Sequence, residues 1–307
     1  MPPSRVLTDQ DQHELLQSLI EVARKAGEVM QTGSTHMLTA SANIAQKASA
    51  VDLVTEWDVK TEDLIRTELE KAWPGFGFIG EESYTDETKL TNEPTFCVDP
   101  IDGTTNFIHS FPFACVSIGV LYEKQPIIGV VFNPFLNQLY SGRVGHGSFL
   151  NETRRLPLYP PRPLTSLSEA LVGIEWGSKR TGPAIEAKIA SFKALAAQEG
   201  KMVHGLRSMG SAALNYCLVA SGSLDIYWEI GCWPWDISAG AIIAQEAGGF
   251  VSGAPNSPHD GVIDEKLLTG RKYIVVRAVA GSESESSLQC QQRLVKDFLA
   301  TVVDYEP

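Results

Sequence analysis

The chain has 307 residues, of which 43% are hydrophobic and 20% are charged, so it can bury a large core in one large or two closely joined domains. The formal net charge of −12 argues against nucleic acid as a partner, because phosphate backbones are bound by an excess of Lys and Arg. A small phosphorylated substrate stays compatible with this charge, provided that the site recruits cations.

The first half of the chain is predicted to hold two helices and then a run of strands. The hydrophobic periodicity and the turn residues predict a loose tail at 1–8, a helix from Asp9 or Asp11 as its cap to about residue 31, a loop at 33–48, a helix ending near Trp73, a strand at 77–80, a strand at 95–98, a β-meander at 114–141 and a hairpin at 142–157.

The second half is predicted to alternate strands with helices, as layered sheets and helices do. The predicted strands are 171–176, 202–206, 224–228 and 273–277, and the predicted helices are 184–198, 211–220, 235–248 and 287–302. Four prolines in 157–163 mark the best subdomain boundary. We therefore expect an α+β subdomain at 9–156 and an α/β subdomain at 157–307, joined as one compact unit.

The five cysteines indicate the compartment. They form no CxxC pair and lie scattered in mostly apolar segments, at Cys97, Cys115, Cys217, Cys232 and Cys290. This use of cysteine is typical of buried, reduced thiols, so we expect a cytoplasmic protein. The chain contains no run of about 18 apolar residues, so no membrane partner is expected.

Residues 95–107 carry the most informative chemistry in the chain. Asp99 and Asp102 follow a short apolar strand, which Pro100 is expected to end because proline donates no backbone N–H. Gly103 and Thr104 then begin a turn or helix whose backbone N–H groups are free. Carboxylates that hold divalent cations beside N–H groups that hold an anion would bind a phosphate ester. The alternative is a solvated Asp-Pro turn.

Three other acidic residues occupy similar positions at the ends of elements. Glu81 follows the strand 77–80, Asp236 lies at the start of a predicted helix, and Asp58 lies at or near the start of another. Carboxylates that converge from distant segments repel one another unless cations neutralise them. A ligand set of oxygen alone favours Mg²⁺ or Mn²⁺ over Zn²⁺.

These residues resemble the signatures of the inositol monophosphatase family. The first signature is similar to residues 99–107 and the second to 235–240 with 246–249, while 80–83, 52–55 with Asp58, and 203–213 match the other motifs. The resemblance covers about 45–277 and is specific in combination. It implies the five-layered αβαβα sandwich that the family shares with fructose-1,6-bisphosphatase.

The resemblance also implies a role for each matching residue. Two or three Mg²⁺ ions, with Mn²⁺ as a possible substitute, would be held by Glu81, Asp99, the carbonyl of Ile101, Asp102 and Asp236. Phosphate would bind the N–H groups of Gly103 and Thr104, and Thr104, with Asp58 behind it and Glu81 beside the metals, would activate the attacking water. The substrate hydroxyls would contact Asp102, Ala212, Glu229 and Asp236. Members of the family are typically lithium-inhibited, cytosolic homodimers.

Three functions are compatible with this pattern. The first is a Mg²⁺-dependent phosphomonoesterase that acts on inositol monophosphate, and Glu229 favours a polyol. The second is a related phosphatase for another ester, because 150–158, 175–177 and 231–236 are similar to the inositol-monophosphatase-like proteins of fungal quinate-utilisation clusters, a resemblance that implies no particular substrate. Other branches of the family act on sugar phosphates or on 3′-phosphoadenosine 5′-phosphate. The third is a regulatory protein without catalysis, which the intact ligand set disfavours.

Other polar or aromatic residues near the motifs have a structural interpretation beside the functional one. We interpret Asp52 as structural and Glu82 as a supporting residue. His109 and His204 are more simply structural than catalytic. Packing explains Trp228, Trp233 and Trp235 as well as a pocket wall does, and the sequence does not decide the role of Arg207.

Overall fold

The computed structural model describes residues 6–39, 44–46 and 53–307, and it describes the side chains of 6–37 and 55–307. In these residues the helices are α1 Asp9–Thr39, α2 Glu56–Ala72, α3 Thr104–Ile108, α4 Gly182–Ala196, α5 Ala212–Ser221, α6 Pro234–Glu246, α7 Glu265–Thr269 and α8 Ser287–Leu299. The strands are β1 Ile44–Gln46, β2 Leu53–Thr55, β3 Gly77–Gly80, β4 Thr95–Asp102, β5 Cys115–Tyr122, β6 Gln125–Asn133, β7 Gln138–Arg143, β8 Gly147–Leu150, β9 Arg154–Arg155, β10 Leu171–Ile174, β11 Gly205–Arg207, β12 Ile226–Ile230, β13 Phe250–Ser252 and β14 Lys272–Val276.

Two sheets and three helical layers alternate. The first sheet has the order β3-β4-β5-β6-β7-β8-β9, and the second has the order β11-β10-β12-β14-β13. Helices α1 and α2 cover the outer face of the first sheet, α5 and α6 lie between the sheets, and α4 and α8 cover the second. The predicted five-layered α/β sandwich is therefore confirmed.

The helix-covered sheets explain why many strands are apolar on both faces. Strand β5 is buried at every residue except Tyr122, and β14 is buried throughout. Separate hydrophobic clusters lie beneath α1 and α2, between the sheets, and beneath α4 and α8. This packing fixes the ends of the strands, where the polar residues of interest lie.

Helix α1 differs from its prediction at both ends. Its first turn is capped by Thr8, whose hydroxyl accepts the N–H of Asp11 while the Asp11 carboxylate accepts the N–H of Thr8. The helix continues through Gly33 to Thr39, and 44–46 form strand β1, which pairs with β2, so the predicted loop is wrong over 33–39 and 44–46. Gly33 is needed for close packing, since a Cβ there would lie 2.6 Å from the ring of Trp57. The loop residues 40–43 and 47–48 lie outside the described residues.

Strand β4 also runs further than expected, through Pro100 to Asp102. Its pairing with β5 shifts register between Asp99 and Asp102. Such an irregularity leaves a residue outside the hydrogen-bonded ladder, which is where a strand tolerates proline. Pro100 therefore bends the strand instead of ending it.

The remaining predicted elements are present, with ends displaced by a few residues, and β1, β2, β13 and α7 were not predicted. The chain passes from the first sheet to the second between Arg155 and Leu171, and the predicted boundary at 157–163 falls in this connection. In the predicted tail, Leu7 is buried against the fold. Among the described helices, none combines the length and the apolar character that crossing a bilayer requires.

Candidate functional site

A cavity of about 420 Å³ lies where β3, β4 and β12 end and where α3, α5 and α6 begin. Every predicted site residue except Asp58 lines it: Glu81, Asp99, Ile101, Asp102, Gly103, Thr104, Ala212, Glu229 and Asp236. Asp58 is buried in the first turn of α2 and reaches the cavity through Thr104. The fold thus gathers residues that are up to 178 positions apart, counting from Asp58 to Asp236.

The carboxylates of this cavity are held in an environment that disfavours their charge. Burial and the charges of Glu81, Asp102 and Asp236 raise the pKa of Asp99 well above its ordinary range. Burial, Glu81 and Asp102 do the same to the pKa of Asp236. Such a cluster attracts either protons or cations.

Asp102 is the best supported of these carboxylates. Its oxygens accept the hydroxyl of Ser211 at 2.7 Å and the N–H groups of Ala212 and Ala213 at 3.3 and 2.6 Å, so it joins β4 to the start of α5. Burial nevertheless raises the pKa of Asp102 to about 7, although these hydrogen bonds oppose the shift. The same hydrogen bonds place Ala212 at the wall of the cavity.

The donor set is composed of carboxylates and one carbonyl, which suits a hard divalent cation. Among the side chains that the structure describes, no three His, Cys, Asp or Glu groups already surround a point that could hold a metal ion. The carboxylates therefore share one cavity without closing around a common centre.

The turn after β4 lines the cavity with Gly103 and Thr104, which begin α3, where backbone N–H groups have no partner within the helix. Gly103 has φ +94°, and a Cβ there would lie 2.9 Å from the carbonyl oxygen of Phe113 and 3.0 Å from that of Gly210. Glycine alone adopts this positive φ readily and has no Cβ to collide with the two carbonyl oxygens. Asn106 fixes the surrounding loops, because its amide donates to the carbonyls of Phe113 and Met209 at 2.7 and 2.6 Å.

Asp58 and Thr104 form a hydrogen-bonded pair behind the cavity. The Thr104 hydroxyl lies 3.1 Å both from Oδ1 of Asp58 and from the carbonyl oxygen of Ile101. The other Asp58 oxygen accepts the N–H and the hydroxyl of Thr55, at 2.8 and 2.6 Å. Burial raises the pKa of Asp58 to about 6. Asp58 is therefore a fixed acceptor: Thr55 holds its Oδ2, and its Oδ1 faces the hydroxyl of Thr104.

Glu229 lies on β12, between this cavity and a second lobe of about 390 Å³. The hydroxyl of Tyr227 donates to it, and burial and the charge of Glu175 raise its pKa to about 7. Trp233 and Trp235 line the second lobe, with ring centroids 5.3 Å apart in a stacked arrangement. Trp228 instead packs in the core against Phe298.

The sequence reasoning missed Glu175 as a site residue. Its buried carboxylate accepts the N–H groups of Met209 and Gly210, the hydroxyl of Ser208 and the amide of Asn215, all within 2.9 Å. It therefore holds the loop that precedes Ala212. Its position directly after β10 is the same kind of strand end that identified Glu81, and this signal could have revealed it.

The other singled-out residues lie away from the chemistry. His109, His204 and Arg207 are exposed and do not line either lobe among the described residues. The backbone N–H of Glu82 donates to buried Glu62 at 2.8 Å, which supports the chain next to Glu81. Asp52 lies outside the described residues.

Comparison with known proteins gives the family. The model of the inositol monophosphatase family matches residues 11–298. Inositol monophosphatase 2 of Saccharomyces cerevisiae is 46% identical over 298 residues, which cover 95% of this chain and 96% of that protein. The Neurospora crassa protein named quinic acid degradation cluster protein x is 37% identical over 334 residues and 98% of each chain. The structure of inositol monophosphatase from Anabaena has a TM-score of 0.70 and 27% identity, over 95% of this chain and 97% of that one. The chain therefore belongs to the inositol monophosphatase family.

Proposed function

We propose that this protein is a Mg²⁺-dependent phosphomonoesterase that hydrolyses inositol monophosphate to inositol and phosphate. One observation carries the proposal: a single cavity is lined both by Glu81, Asp99, Asp102 and Asp236 and by the N-terminal turn at Gly103 and Thr104. Carboxylates bind cations and backbone N–H groups bind anions, so a phosphate ester with its counter-cations has partners for both in this cavity.

The carboxylates of Glu81, Asp99, Asp102 and Asp236, with the carbonyl of Ile101, would hold two or three Mg²⁺ ions, and Mn²⁺ would be a substitute. Bound Mg²⁺ would supply positive charge for the phosphate oxygens and would favour ionisation of water. Burial and the neighbouring carboxylates raise the pKa values of Asp99 and Asp236, and these shifts support the role because a cation would offset both effects.

The chain itself would bind the phosphate and orient the water. The N–H groups of Gly103 and Thr104 would donate to phosphoryl oxygens whose charge grows in the transition state. The single hydroxyl proton of Thr104, when donated to Asp58, leaves an oxygen lone pair directed away from Asp58. That lone pair would accept a hydrogen bond from the attacking water, and the Glu81 carboxylate, which lines the same cavity, would help to activate this water.

The alcohol part of the substrate would contact Asp102, Ala212, Glu229 and Asp236. Glu229 supports a polyol, because a buried carboxylate at the far side of the cavity accepts hydrogen bonds from hydroxyl groups. We further propose a cytoplasmic homodimer that is inhibited by lithium, as the family resemblance implies. Sedimentation of the purified chain tests the dimer, and titration of activity with Li⁺ tests the inhibition.

A second candidate substrate comes from the relatives. The Neurospora crassa relative is named for quinic acid degradation, which favours a related phosphatase that acts on another small ester. Inositol 1-phosphate, sugar phosphates and 3′-phosphoadenosine 5′-phosphate, assayed side by side, separate these candidates by their kcat/KM values.

The test is phosphate release from inositol 1-phosphate, with and without Mg²⁺, by the wild-type protein and by the variants Asp99→Asn and Asp86→Asn. We expect Mg²⁺-dependent release that Asp99→Asn nearly abolishes and that Asp86→Asn, a change at an exposed site, leaves intact. Release from no ester under either condition would overturn the enzymatic proposal in favour of a catalytically silent regulatory protein.

A further inference from the structure

The second lobe of the cavity carries cations that the proposed chemistry does not use. It shares Glu81, Glu229 and Asp236 with the first lobe, and its other charged side chains are Lys179, Lys188 and Arg271. Glu81 and Asp236 are metal ligands in the proposed function. Among the side chains, Glu229 is then the one carboxylate left against three cations, of which Lys179 is exposed to solvent.

Lys188 is the unusual member of this group. It lies on α4 and is only 2% exposed, whereas lysine is rarely buried without a charged partner. Its ammonium donates to the carbonyl of Trp176, and it lies 5.7 Å from the ring centroid of Tyr305. Among the residues that the structure describes, no carboxylate lies within 4 Å of it. An ammonium has three N–H donors, and the carbonyl uses one.

The structure around Lys188 brings it close to Glu229 without pairing the two. Between them lies Gly177, where a Cβ would be 2.6 Å from Nζ of Lys188 and 3.8 Å from Oε1 of Glu229. A larger residue at 177 would fill this space. Burial lowers the pKa of Lys188, and the charge of Glu229 opposes that shift only in part. An anion in the lobe would compensate the burial of the ammonium.

The C-terminal segment closes the same lobe. The carboxylates of Asp304 and Glu306 both accept from Lys272 at 2.9 Å, and the hydroxyl of Tyr305 donates to the carbonyl of Ile230 at 3.2 Å. These contacts fix the Tyr305 ring beside Lys188. Arg271, which also lines the lobe, stacks over the ring of Trp233, with its Cζ 3.8 Å from the ring centroid. The lobe is therefore a built pocket in which contacts hold both Lys188 and Arg271.

We propose that the second lobe binds an anionic group, a carboxylate or a second phosphate, on the alcohol part of the substrate, and that Lys188 is the residue that pairs with it. The proposal rests on the proposed phosphatase function and adds a preference among its substrates: phosphorylated polyols that carry a second negative charge should be hydrolysed with a higher kcat/KM than neutral polyol phosphates such as inositol monophosphate. Glu229 then accepts the hydroxyl groups that lie between the two anionic ends.

Three matched esters test this specificity. Glucitol 6-phosphate ends in a neutral alcohol, 6-phosphogluconate ends in a carboxylate, and glucitol 1,6-bisphosphate ends in a second phosphate. We expect kcat/KM of the wild-type protein to be about tenfold higher or more for at least one anionic ester, as expected for a buried charge pair. Comparison of the two anionic esters identifies the preferred group.

The Lys188→Met variant should reduce this preference to within about twofold, mainly through a higher KM for the anionic esters. Lys188→Arg should retain part of the preference. Lys193→Met, at an exposed position of the same helix, is the control and should retain all of it. Equal kcat/KM values for the three wild-type substrates, or an equal loss for all three in Lys188→Met, would overturn the proposal.

Binding separates this proposal from the phosphatase itself. Dissociation constants for the same esters, measured by calorimetry with Ca²⁺ in place of Mg²⁺, do not depend on turnover. If no ester is hydrolysed but Lys188→Met removes a preference for anionic esters in binding, the lobe is supported and the phosphatase proposal fails. If the three esters bind equally well to the wild-type protein, the anion lobe is refuted whatever the activity.

Discussion

The hydroxyl of Thr104 lies 3.1 Å from the carboxylate of Asp58, across 46 residues of sequence. Asp58 cannot turn away from it, because its second oxygen accepts both the N–H and the hydroxyl of Thr55. The arrangement arises from a capping box, in which Thr55 precedes α2 and Asp58 is its third residue. Thr55, which caps the start of α2, thus also orients the Asp58 carboxylate toward Thr104 at the cavity.

Replacement of Asp58 by Asn should lower kcat much more than it changes KM. The amide has nearly the same shape, but it is neutral and cannot draw the Thr104 proton as a carboxylate does. We expect kcat for inositol 1-phosphate to fall about 10²–10⁴-fold, the usual contribution of positioned acid–base groups. Asp63→Asn, at an exposed position of the same helix, is the control. A kcat within about threefold of wild type would show that Asp58 serves only as a cap.

The stability of the protein should depend on pH and Mg²⁺ together. Burial raises the pKa of Asp58 to about 6 and those of Asp102 and Glu229 to about 7, so the folded chain retains protons that the unfolded chain releases near pH 4. The stability that these three protonated groups contribute is complete below the pKa that they have in the unfolded chain, and it is lost as the pH rises through their folded pKa values of about 6 to 7. Surface acids whose pKa is lowered, such as Asp9 and Glu285, are ionised in both states above about pH 5 and add no slope there.

We therefore expect the free energy of unfolding in EDTA to fall between about pH 5 and about pH 8. Saturating Mg²⁺ should stabilise the protein more at the higher pH, because the ions replace protons that are no longer bound. Thermal midpoints at both pH values, with EDTA or with Mg²⁺, measure the effect. A stabilisation by Mg²⁺ that is the same at both pH values would refute the coupling.

Glu175 should act on substrate binding through the loop that it holds. Its carboxylate accepts two backbone N–H groups, from Met209 and Gly210, next to the segment that leads to Ala212. Gln at this position keeps one oxygen for these N–H groups, and its NH2 group takes the place of the oxygen that accepts from Ser208. The charged acceptor becomes neutral, which weakens the hydrogen bonds of the loop and costs about 1 kcal/mol. We expect Glu175→Gln to raise KM more than it lowers kcat, and to lower the thermal midpoint. Glu169→Gln, an exposed carboxylate that caps a nearby turn, should leave KM unchanged. An unchanged KM in Glu175→Gln would contradict this role.

The local sequence indicated which acidic residues share the cavity, but it did not indicate which other side chains surround them. Asp99, Asp102 and Asp236 lie next to proline or glycine residues that indicate turns, so the local sequence predicts that all three lie at the ends of helices or strands. The part played by Lys188 was not readable, because a single lysine on a helix is normally solvated, and its burial depends on Gly177 and on the distant C-terminal segment. Likewise, Gly33 looked like the end of a helix, and only the approach of Trp57 explains its place within one.

Gly103 offers a test that separates backbone conformation from crowding. Alanine there must adopt φ +94° and must also place its Cβ 2.9 Å from the carbonyl oxygen of Phe113. Gly145 has a comparable φ of +75° with no atom within 4 Å of a Cβ, so Gly145→Ala carries the conformational cost alone. That cost is about 1 kcal/mol, and we expect Gly103→Ala to lose about 1–3 kcal/mol more, because backbone must move.

Because the same movement displaces the N–H groups of Gly103 and Thr104, phosphate release should fall at least about 10²-fold in Gly103→Ala and stay normal in Gly145→Ala. Urea unfolding and the phosphate assay measure the two effects. Equal stability losses in the two variants would mean that the close contact at Gly103 relaxes freely, and activity would then report on the N–H groups alone.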